Sequence, residues 1–246
     1  MTRLAVLADI HGNADALSAV FMDILDQSPD ALVNLGDCFS GPLDAARTAH
    51  LLAGTSFAAT VRGNHDRWLS DPNAMDAWDK RALTQLSPET LGWLATLPAT
   101  AVVDDAFLCH ATPQNDLSYW LEAYTPDGAA RRAPLDKITA RARDIPQTLL
   151  LCGHTHVART VRLADGRLVV NPGSVGCPGF TDHSAPSPRH VCAGTPFAAY
   201  AILDRQGAQW TVSHRLVSYD TTNAVARARA AGFSDWMQAL DTGWIT

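Results

Sequence analysis

Short apolar runs and segments of helical spacing alternate along the first third of the chain. Three apolar runs predict β-strands at residues 4–8, 31–35 and 57–61. Apolar residues from Ala16 to Leu25 recur at helical spacing, with Asn13 as the expected N-cap, and a second helix is predicted over residues 43–52. The order strand–helix–strand–helix–strand predicts parallel strands joined by right-handed crossovers.

The rest of the chain predicts antiparallel hairpins and two irregular segments. Strand pairs are predicted at residues 101–103 with 106–109, 157–163 with 167–170 and 198–203 with 209–217, a single strand at 148–151, and helices at 88–97 and 223–231. Residues 112–146 contain several prolines and predict a small helical cap insertion, whereas residues 176–196 are rich in Gly, Pro and Ser and predict a long loop. Because there is neither an internal repeat nor a linker, a single domain over residues 1–246 is expected.

Composition narrows the class of protein. Of the 246 residues, 47% are hydrophobic and 18% are charged, as in an ordinary globular protein. A formal net charge of −6 does not attract a nucleic-acid backbone over distance, so we expect no nucleic-acid partner. The first apolar run is too short for a signal peptide or a membrane span, and the five cysteines form no CxxC pair. We therefore expect a cytoplasmic protein with reduced thiols and no membrane partner.

Polar residues stand directly after the predicted strands. Asp9 and His11 follow the first strand, Asp37 follows the second, and Asn64 and His65 follow the third. Asp9 and Asp37 are 28 positions apart and Asp37 and Asn64 are 27 apart, about one strand–helix unit each. Successive parallel strands therefore place these residues along one edge of the sheet, where α/β proteins bind ligands. Three more histidines also follow predicted strands: His110, His154 and His156.

The types of these side chains point to metal binding. Carboxylate, imidazole and amide oxygen suit divalent ions such as Mn²⁺, Fe, Zn²⁺ or Mg²⁺, and no thiolate is among them. If the backbone is extended at each turn, the Asp9/His11 and His154/His156 pairs each direct both side chains to one side. Asp37 is the central carboxylate and could bridge two ions, a common arrangement for displacement at phosphorus.

The ordered motifs resemble a known family. Asp9-x-His11, Gly36-Asp37, Gly63-Asn64-His65-Asp66, His110 and Gly153-His154-Thr155-His156 are similar to the motif set of the calcineurin-like metallophosphoesterase superfamily. The sequence from Asn171 to Gly176, Asn-Pro-Gly-Ser-Val-Gly, further resembles the bacterial single-domain branch. The similarity runs in order from residue 9 to residue 176, which makes the set far more specific than any one motif.

The resemblance implies a fold, a metal centre and a reaction. The implied fold is α/β, a four-layer α/β/β/α sandwich of two mixed sheets. One metal ion would be bound by Asp9, His11, Asp37 and His156, and the other by Asp37, Asn64, His110 and His154. Catalysis would depend on His65, Asp37 and Asn64, with His65 contacting the phosphate as a candidate general acid. The expected reaction is hydrolysis of a small phosphomonoester or phosphodiester, nucleotide-like esters included, by a hydroxide that bridges the metals.

Departures from relatives limit the resemblance. Ser/Thr protein phosphatases carry Asp-Arg-Gly three residues after the bridging aspartate, where this chain has Ser-Gly-Pro beginning at Ser40. The carboxylate that orients the catalytic histidine is therefore missing from this position, which argues against a protein phosphatase. The bacterial branch often has Gln-Pro-Arg after Gly176, where this chain has Cys-Pro-Gly, so a phosphate-contacting arginine has to come from elsewhere, for example Arg189.

Two alternatives stay open. Tyr119 and Trp120, in the expected cap, could stack on a nucleobase, or they could form the apolar core of the cap. The whole chain could also be a catalytically weak scaffold on the same fold, as in a retromer subunit that resembles this family. The presence of all seven ligand residues argues for an enzyme.

Overall fold

The computed structural model describes residues 2–125, 128, 130–182, 188–207 and 209–245. The strands within these residues are β1 Arg3–Leu7, β2 Ala31–Asn34, β3 Ala59–Thr60, β4 Thr100–Val103, β5 Ala106–Cys109, β6 Glu122–Tyr124, β7 Ala130–Arg132, β8 Leu149–Leu151, β9 Arg159–Arg162, β10 Leu168–Asn171, β11 Gly179–Asp182, β12 Arg189–Cys192, β13 Ala198–Gln206 and β14 Gln209–Val217. The helices are α1 Ala14–Gln27, α2 Ala45–Ala53, α3 Asn64–Trp68, α4 Ala77–Leu83, α5 Pro88–Thr96, α6 Leu135–Arg141, α7 Thr222–Ala230 and α8 Ser234–Thr242. Over the described residues, the helices are all too short or too polar to cross a membrane.

Two mixed five-stranded sheets form the centre of the described structure. The first has the order β14-β13-β1-β2-β3, with β1, β2 and β3 parallel, β13 antiparallel to β1 and β14 antiparallel to β13. The second has the order β4-β5-β8-β10-β9, in which β5, β8 and β10 are parallel and both edge strands are antiparallel. The predicted parallel unit at the N-terminus and the predicted hairpins are confirmed.

Alternation of side chains along the central strands explains how the layers stack. Leu4 and Val6 of β1 are fully buried in a cluster that also contains residues of β5, β8 and β10, so they lie between the two sheets. Ala5 and Leu7 belong to a second cluster with Leu17 of α1, on the helix-covered face. Each fully buried leucine contributes about 1.5–3 kcal/mol to folding.

The second sheet is covered on its outer face as well. Leu150 of β8 belongs to a third cluster with Ile138 of α6 and the fully buried Leu121, whereas its neighbours in β8 face the first sheet. The sequence of layers is therefore helix, sheet, sheet, helix, and the implied α/β/β/α sandwich is confirmed.

Two segments differ from their predictions. Residues 112–146 were expected to be helical, but they contain the β6–β7 hairpin as well as α6, and residues 126, 127 and 129 lie outside the described residues. Residues 176–196 were expected to be a long loop, but β11 and β12 pair within them, and residues 183–187 are not among those described. These strands are three or four residues long and lack an alternating apolar pattern, so the sequence signal for them is weak.

The parallel strands bring their following loops together. The backbone N–H of Asp9 donates to the carbonyl oxygen of Gly36 at 3.0 Å, which joins the loops after β1 and β2. The N–H of Gly153 donates to the backbone carbonyl oxygen of His110 at 2.6 Å, which joins the loops after β8 and β5. The N–H of His154 donates to the Asp9 carboxylate at 3.0 and 3.2 Å and connects the two sheets.

Candidate metal centre

The predicted ligand residues converge in two neighbouring groups. In the first group, one ligand atom each from Asp9, His11 and His156 lies within 4.8 Å of the others. The second group contains Asp37, His110 and His154 within the same limit. Each group contains three of the four residues in one of the ligand sets implied by the resemblance, and five of these six residues are buried.

Asp37 lies between the two groups. Its Oδ2 atom is 3.2 Å from His110 Nε2 in one group and 3.8 Å from His11 Nε2 in the other. Its Oδ1 atom accepts a hydrogen bond from the backbone N–H of His65 at 3.0 Å. Because Oδ1 is held by the backbone, Oδ2 is oriented toward both sets of ligand atoms.

Most of the predicted metal ligands have a left-handed backbone conformation, which sets the direction of their side chains. Five predicted ligands have positive φ: Asp9 (54°), His11 (49°), Asp37 (55°), His154 (68°) and His156 (57°). The expectation of an extended backbone at Asp9/His11 and His154/His156 is therefore wrong. Left-handed residues other than glycine cost of order 1–3 kcal/mol each, and such residues cluster at functional sites. Only two other non-glycine residues of the described chain share this conformation, Ser28 and Asp104.

Two glycines allow the loops after β2 and β3 to approach each other. Gly36 has a φ of +95°, and a Cβ atom there would collide with the backbone of Gly63. A Cβ atom on Gly63 would overlap the carboxylate of Asp37. The absence of side chains at these two glycines therefore allows a close approach, which places the Asp37 carboxylate against the loop that carries Asn64.

Hydrogen bonds to carbonyl groups decide which nitrogen each histidine presents. The Nδ1 atoms of His11, His110 and His156 lie 2.7, 2.7 and 2.8 Å from the carbonyl oxygens of Ser40, Leu35 and Cys177, respectively. A carbonyl oxygen only accepts, so in each neutral ring Nδ1 carries the hydrogen and Nε2 presents a lone pair to the site. His154 is reversed, since its Nε2 lies 3.0 Å from the carbonyl of Leu117 and its Nδ1 faces inward.

In the centre of the site, nitrogen and oxygen atoms that carry lone pairs lie close to one another. His11 Nε2 and His156 Nε2 are only 3.2 Å apart, although neither carries a hydrogen in the neutral form. Asn64 Oδ1 is 3.1 Å from His110 Nε2 and faces His154 Nδ1. A rotated Asn64 amide would donate to these nitrogens instead, whereas a bound cation would favour the orientation in which the oxygen faces inward. The donor set therefore fits one divalent cation in each group.

Burial keeps three of the histidines neutral. It lowers the pKa of His11 and of His154 to about 4, and it lowers the pKa of His156 well below its usual range. For His11 the attraction of Asp37 opposes this shift without overcoming it. These rings can therefore offer lone pairs to a cation at neutral pH without first losing a proton.

Protons occupy part of the site when no cation is present. Burial raises the pKa of Asp9 to about 8, even though His110 opposes the shift. For His110, burial is outweighed by Asp37 and Asp9, and its pKa rises to about 10. Burial would also raise the pKa of Asp37, but His110 and His65 hold it well below the usual range. A proton on His110 thus balances the charge of Asp37, as a metal ion would.

Buried side chains behind the ligands fix the loops. Asp66 is fully buried, and its carboxylate accepts hydrogen bonds from the backbone N–H groups of Asp37 (2.7 Å), Cys38 (2.9 Å) and Gly63 (3.0 Å). Asn171 Nδ2 donates to the Gly153 carbonyl at 2.7 Å, which braces the turn before His154. Such supporting bonds hold the loops in place and so keep the metal-ligating side chains in their orientation.

His65 lies beside the two groups and has a carboxylate partner of its own. Its Nδ1 atom is 2.9 Å from Oδ1 of Asp79 on α4. Burial opposes the charged ring, but Asp37 and Asp79 outweigh it and raise the pKa of His65 to about 9. A functional role of Asp79 could not be predicted from the sequence, because Asp79 follows no predicted strand and stands in no motif. Its only sequence signal is its place three residues after Asp76, a pattern typical of a helix start.

The predicted substrate contacts are placed differently from one another. Tyr119 lies at the site, with its ring 5.2 Å from that of His154. The guanidinium of Arg189 lies 4.8 Å from the ring of Tyr124 and pairs with Asp182 at 3.4 Å. Arg189 therefore lies on the same side of the metal-ligand groups as Tyr119. Trp120 is 2% exposed and donates to the carbonyl of Ile138 at 3.1 Å. The predicted substrate contact of Trp120 is therefore corrected, and the alternative of an apolar core holds for this residue.

Known proteins share the sequence pattern and the fold. A family model described as the calcineurin-like phosphoesterase superfamily domain matches residues 2–188. An uncharacterized protein of Methanocaldococcus jannaschii is 23% identical over 266 residues, which cover 96% of this chain and 96% of that protein. The crystal structure of a metallophosphoesterase from Sphaerobacter thermophilus superposes with a TM-score of 0.75 at 24% identity, over 98% of this chain and 99% of that chain.

Proposed function

Because the chain belongs to the calcineurin-like phosphoesterase superfamily, we propose that it hydrolyses small phosphoric esters with the help of two divalent cations. The proposed substrates are phosphomonoesters or phosphodiesters, nucleotide-like esters included. The proposed cations are Mn²⁺, Fe, Zn²⁺ or Mg²⁺, which suit oxygen and imidazole ligands.

One observation carries this proposal above the others. A single carboxylate oxygen, Asp37 Oδ2, faces ligand atoms of both groups, at 3.2 Å from His110 Nε2 and 3.8 Å from His11 Nε2. A structural zinc site needs one closed set of four ligands, whereas two adjacent sets that share a carboxylate are typical of two-metal hydrolysis.

The side chains would divide the work as follows. Bound cations would supply Lewis acidity and lower the pKa of the water that attacks phosphorus. Asp37 would ligate both cations, with Asp9, His11 and His156 completing one set and Asn64, His110 and His154 completing the other. His65 Nε2, the ring nitrogen opposite Asp79, would bind the phosphate and donate a proton to the leaving oxygen.

Aromatic rings around the site support a substrate with a planar group. Tyr119, Trp68 and Trp78 are all partly exposed and contact His154 or His65. Aromatic faces can stack on a base or another ring, at about 1–3 kcal/mol for a stacked nucleobase. This arrangement favours nucleotide-like esters among the proposed substrates.

The proposal is tested with metal-depleted protein that is reloaded with Mn²⁺. We expect it to hydrolyse p-nitrophenyl phosphate or bis-p-nitrophenyl phosphate. A His65→Ala variant should bind the same amount of Mn²⁺ and lose about 10²–10⁴-fold in kcat, the usual contribution of a general acid. His214→Ala is the matched control, since His214 is exposed on β14 and bonds to Thr160.

Three results would contradict parts of the proposal. Absence of turnover with any divalent ion would favour a metal-binding scaffold. Full activity of His65→Ala would reject the role of His65 but not the metal centre. Turnover confined to a panel of phosphopeptides would identify a protein phosphatase instead.

A further inference from the structure

A buried carboxylate outside the metal ligand set contacts His65. Asp79 is fully buried near the start of α4, and its Oδ1 atom lies 2.9 Å from His65 Nδ1. The hydroxyl of Ser40 donates a hydrogen bond to the same oxygen. Asp79 Oδ2 accepts from the backbone N–H of Asp76 at 3.0 Å. The carboxylate is thus held on both oxygens, as a buried charge requires.

This carboxylate comes from a different element than the one in Ser/Thr protein phosphatases. Ser40 occupies the position at which Ser/Thr protein phosphatases carry the aspartate of their Asp-Arg-Gly motif. In this chain the loop after β2 supplies only a hydroxyl there, and that hydroxyl bonds to a carboxylate from α4. The carboxylate that is missing from the motif is therefore present in space, donated by another element.

We propose that Asp79, anchored by Ser40, is the positioning residue of His65, which it holds with Nδ1–H toward the carboxylate and Nε2 free to serve the leaving group. This inference rests on the proposed function. The hydrogen-bonded carboxylate accepts from Nδ1, which leaves Nε2 as the nitrogen that can donate to substrate. Asp79 is not among the predicted metal ligands, and its side-chain hydrogen bonds join it to His65, Ser40 and Asp76.

Two tryptophans complete the restraint on the His65 ring. The Trp78 ring stacks on it, with centroids 5.5 Å apart and planes 13° apart. The Trp68 ring meets it edge-on, with centroids 4.7 Å apart. Stacking fixes the plane of the imidazole but allows it to turn within that plane, whereas the bond to Asp79 selects one orientation. The aromatic contacts and the carboxylate therefore have separate roles.

A third metal ion is the competing interpretation of this cluster. Ligand atoms of His65, Asp76 and Asp79 do lie within 4.8 Å of one another. However, Asp76 is exposed, and its Oδ1 atom accepts from the backbone N–H groups of Trp78 (2.7 Å) and Asp79 (3.0 Å). Asp76 and Asp79 are reciprocally bonded as a helix capping box, which engages Oδ1 of Asp76 and Oδ2 of Asp79.

The test compares two leaving groups in the Mn²⁺-loaded enzyme. An Asp79→Asn variant keeps the size of the side chain and removes its charge. Phenyl phosphate has a strongly basic leaving group and needs a proton donor, whereas p-nitrophenyl phosphate has a weakly basic one. We expect kcat to fall about 10²-fold for phenyl phosphate and much less for p-nitrophenyl phosphate, with KM and Mn²⁺ content unchanged.

A double-mutant cycle and a control sharpen the result. In a His65→Ala background, Asp79→Asn should cause no further loss, because there is no ring left to orient. Asp23→Asn removes a carboxylate on α1 that pairs with Arg215, and it should leave the ratio of the two rates unchanged. Ser40→Ala should give the same leaving-group preference as Asp79→Asn, with a smaller loss, and it serves if Asp79→Asn does not fold.

The contrary outcomes are distinct. Equal losses on both esters, loss of Mn²⁺, or losses additive with His65→Ala would show that Asp79 has a structural role only. A wild-type enzyme inactive on both esters would reject the proposed function and leave the positioning question to spectroscopy. In that case a slowly exchanging Nδ1–H resonance of His65, present in the wild type and lost in Asp79→Asn, supports the inference, and an unchanged resonance overturns it.

Discussion

At the scale of single residues, the candidate metal centre depends on which ring nitrogen of each histidine carries a proton and which presents a lone pair. The carbonyl oxygens of Ser40, Leu35 and Cys177 each bond to Nδ1 of a histidine, which leaves the Nε2 atoms pointing inward. Five predicted ligands adopt a left-handed backbone to reach this arrangement. The strain is stable only because buried hydrogen bonds, such as those to Asp66, hold the loops.

Metal binding should release protons. Near pH 7 the metal-free protein keeps protons on Asp9, with a pKa of about 8, and on His110, with a pKa of about 10. A cation must displace them, so Mn²⁺ affinity should rise as the pH increases from 6 to 8. His11 and His154, with pKa values of about 4, release none in this range. Calorimetric titration at pH 7 in two buffers of different ionisation enthalpy measures the released protons, and a buffer-independent heat would contradict this prediction.

At the scale of secondary-structure elements, the ends of parallel strands do most of the positioning. This much could be predicted from the sequence, because polar residues after apolar runs of βα spacing must share one sheet edge. Asp9 and Asp37, which follow neighbouring parallel strands of the first sheet, lie together for that reason. Their left-handed backbone could not be predicted, since Asp and His adopt it only when surrounding loops impose it.

Contacts that depend on distant elements escaped prediction. Asp79 lies in the polar stretch 71–81, and only the folded chain brings it beside His65 and Ser40. The short strands β7 and β11 pair through their backbones, and their side chains show no alternating pattern of burial. The sequence left two alternatives open for Trp120, because an aromatic residue in an expected cap has the same sequence signal whether it faces substrate or a core.

Helix α8 should stabilise the metal centre from outside. Its Trp236 is 1% exposed, and the ring packs against the rings of His11 (5.9 Å) and Trp78 (5.0 Å). Trp236→Ala should lower the free energy of unfolding by about 3–5 kcal/mol and weaken Mn²⁺ binding, because the cavity would free His11 to move.

Trp236→Phe is the matched variant for this prediction. Trp236 Nε1 is buried without a hydrogen-bond partner in the described chain, so losing its N–H should cost little. We expect a smaller loss than for Trp236→Ala, because the phenyl ring leaves a smaller cavity than alanine does. Chemical denaturation with and without Mn²⁺ measures both variants, and an alanine variant as stable as the phenylalanine variant would disprove the packing role of α8.

At the scale of the whole molecule, two sheets share one functional edge. The first sheet contributes the loops of Asp9, Asp37 and Asn64, and the second contributes those of His110 and His154. Neither sheet alone carries all four residues of either proposed ligand set. Assembly of the sandwich and assembly of the metal centre are therefore the same event, and bound cations should stabilise the folded chain.

The number of metal ions per chain tests the central role of Asp37 most directly. Elemental analysis of Mn²⁺-loaded protein after removal of free metal should find two ions in the wild type. Asp9→Asn should reduce this to about one by weakening a single set, and Asp37→Asn should reduce it to one or fewer by weakening both. Two ions retained by Asp37→Asn at unchanged affinity, or fewer than two in the wild type, would contradict a shared carboxylate.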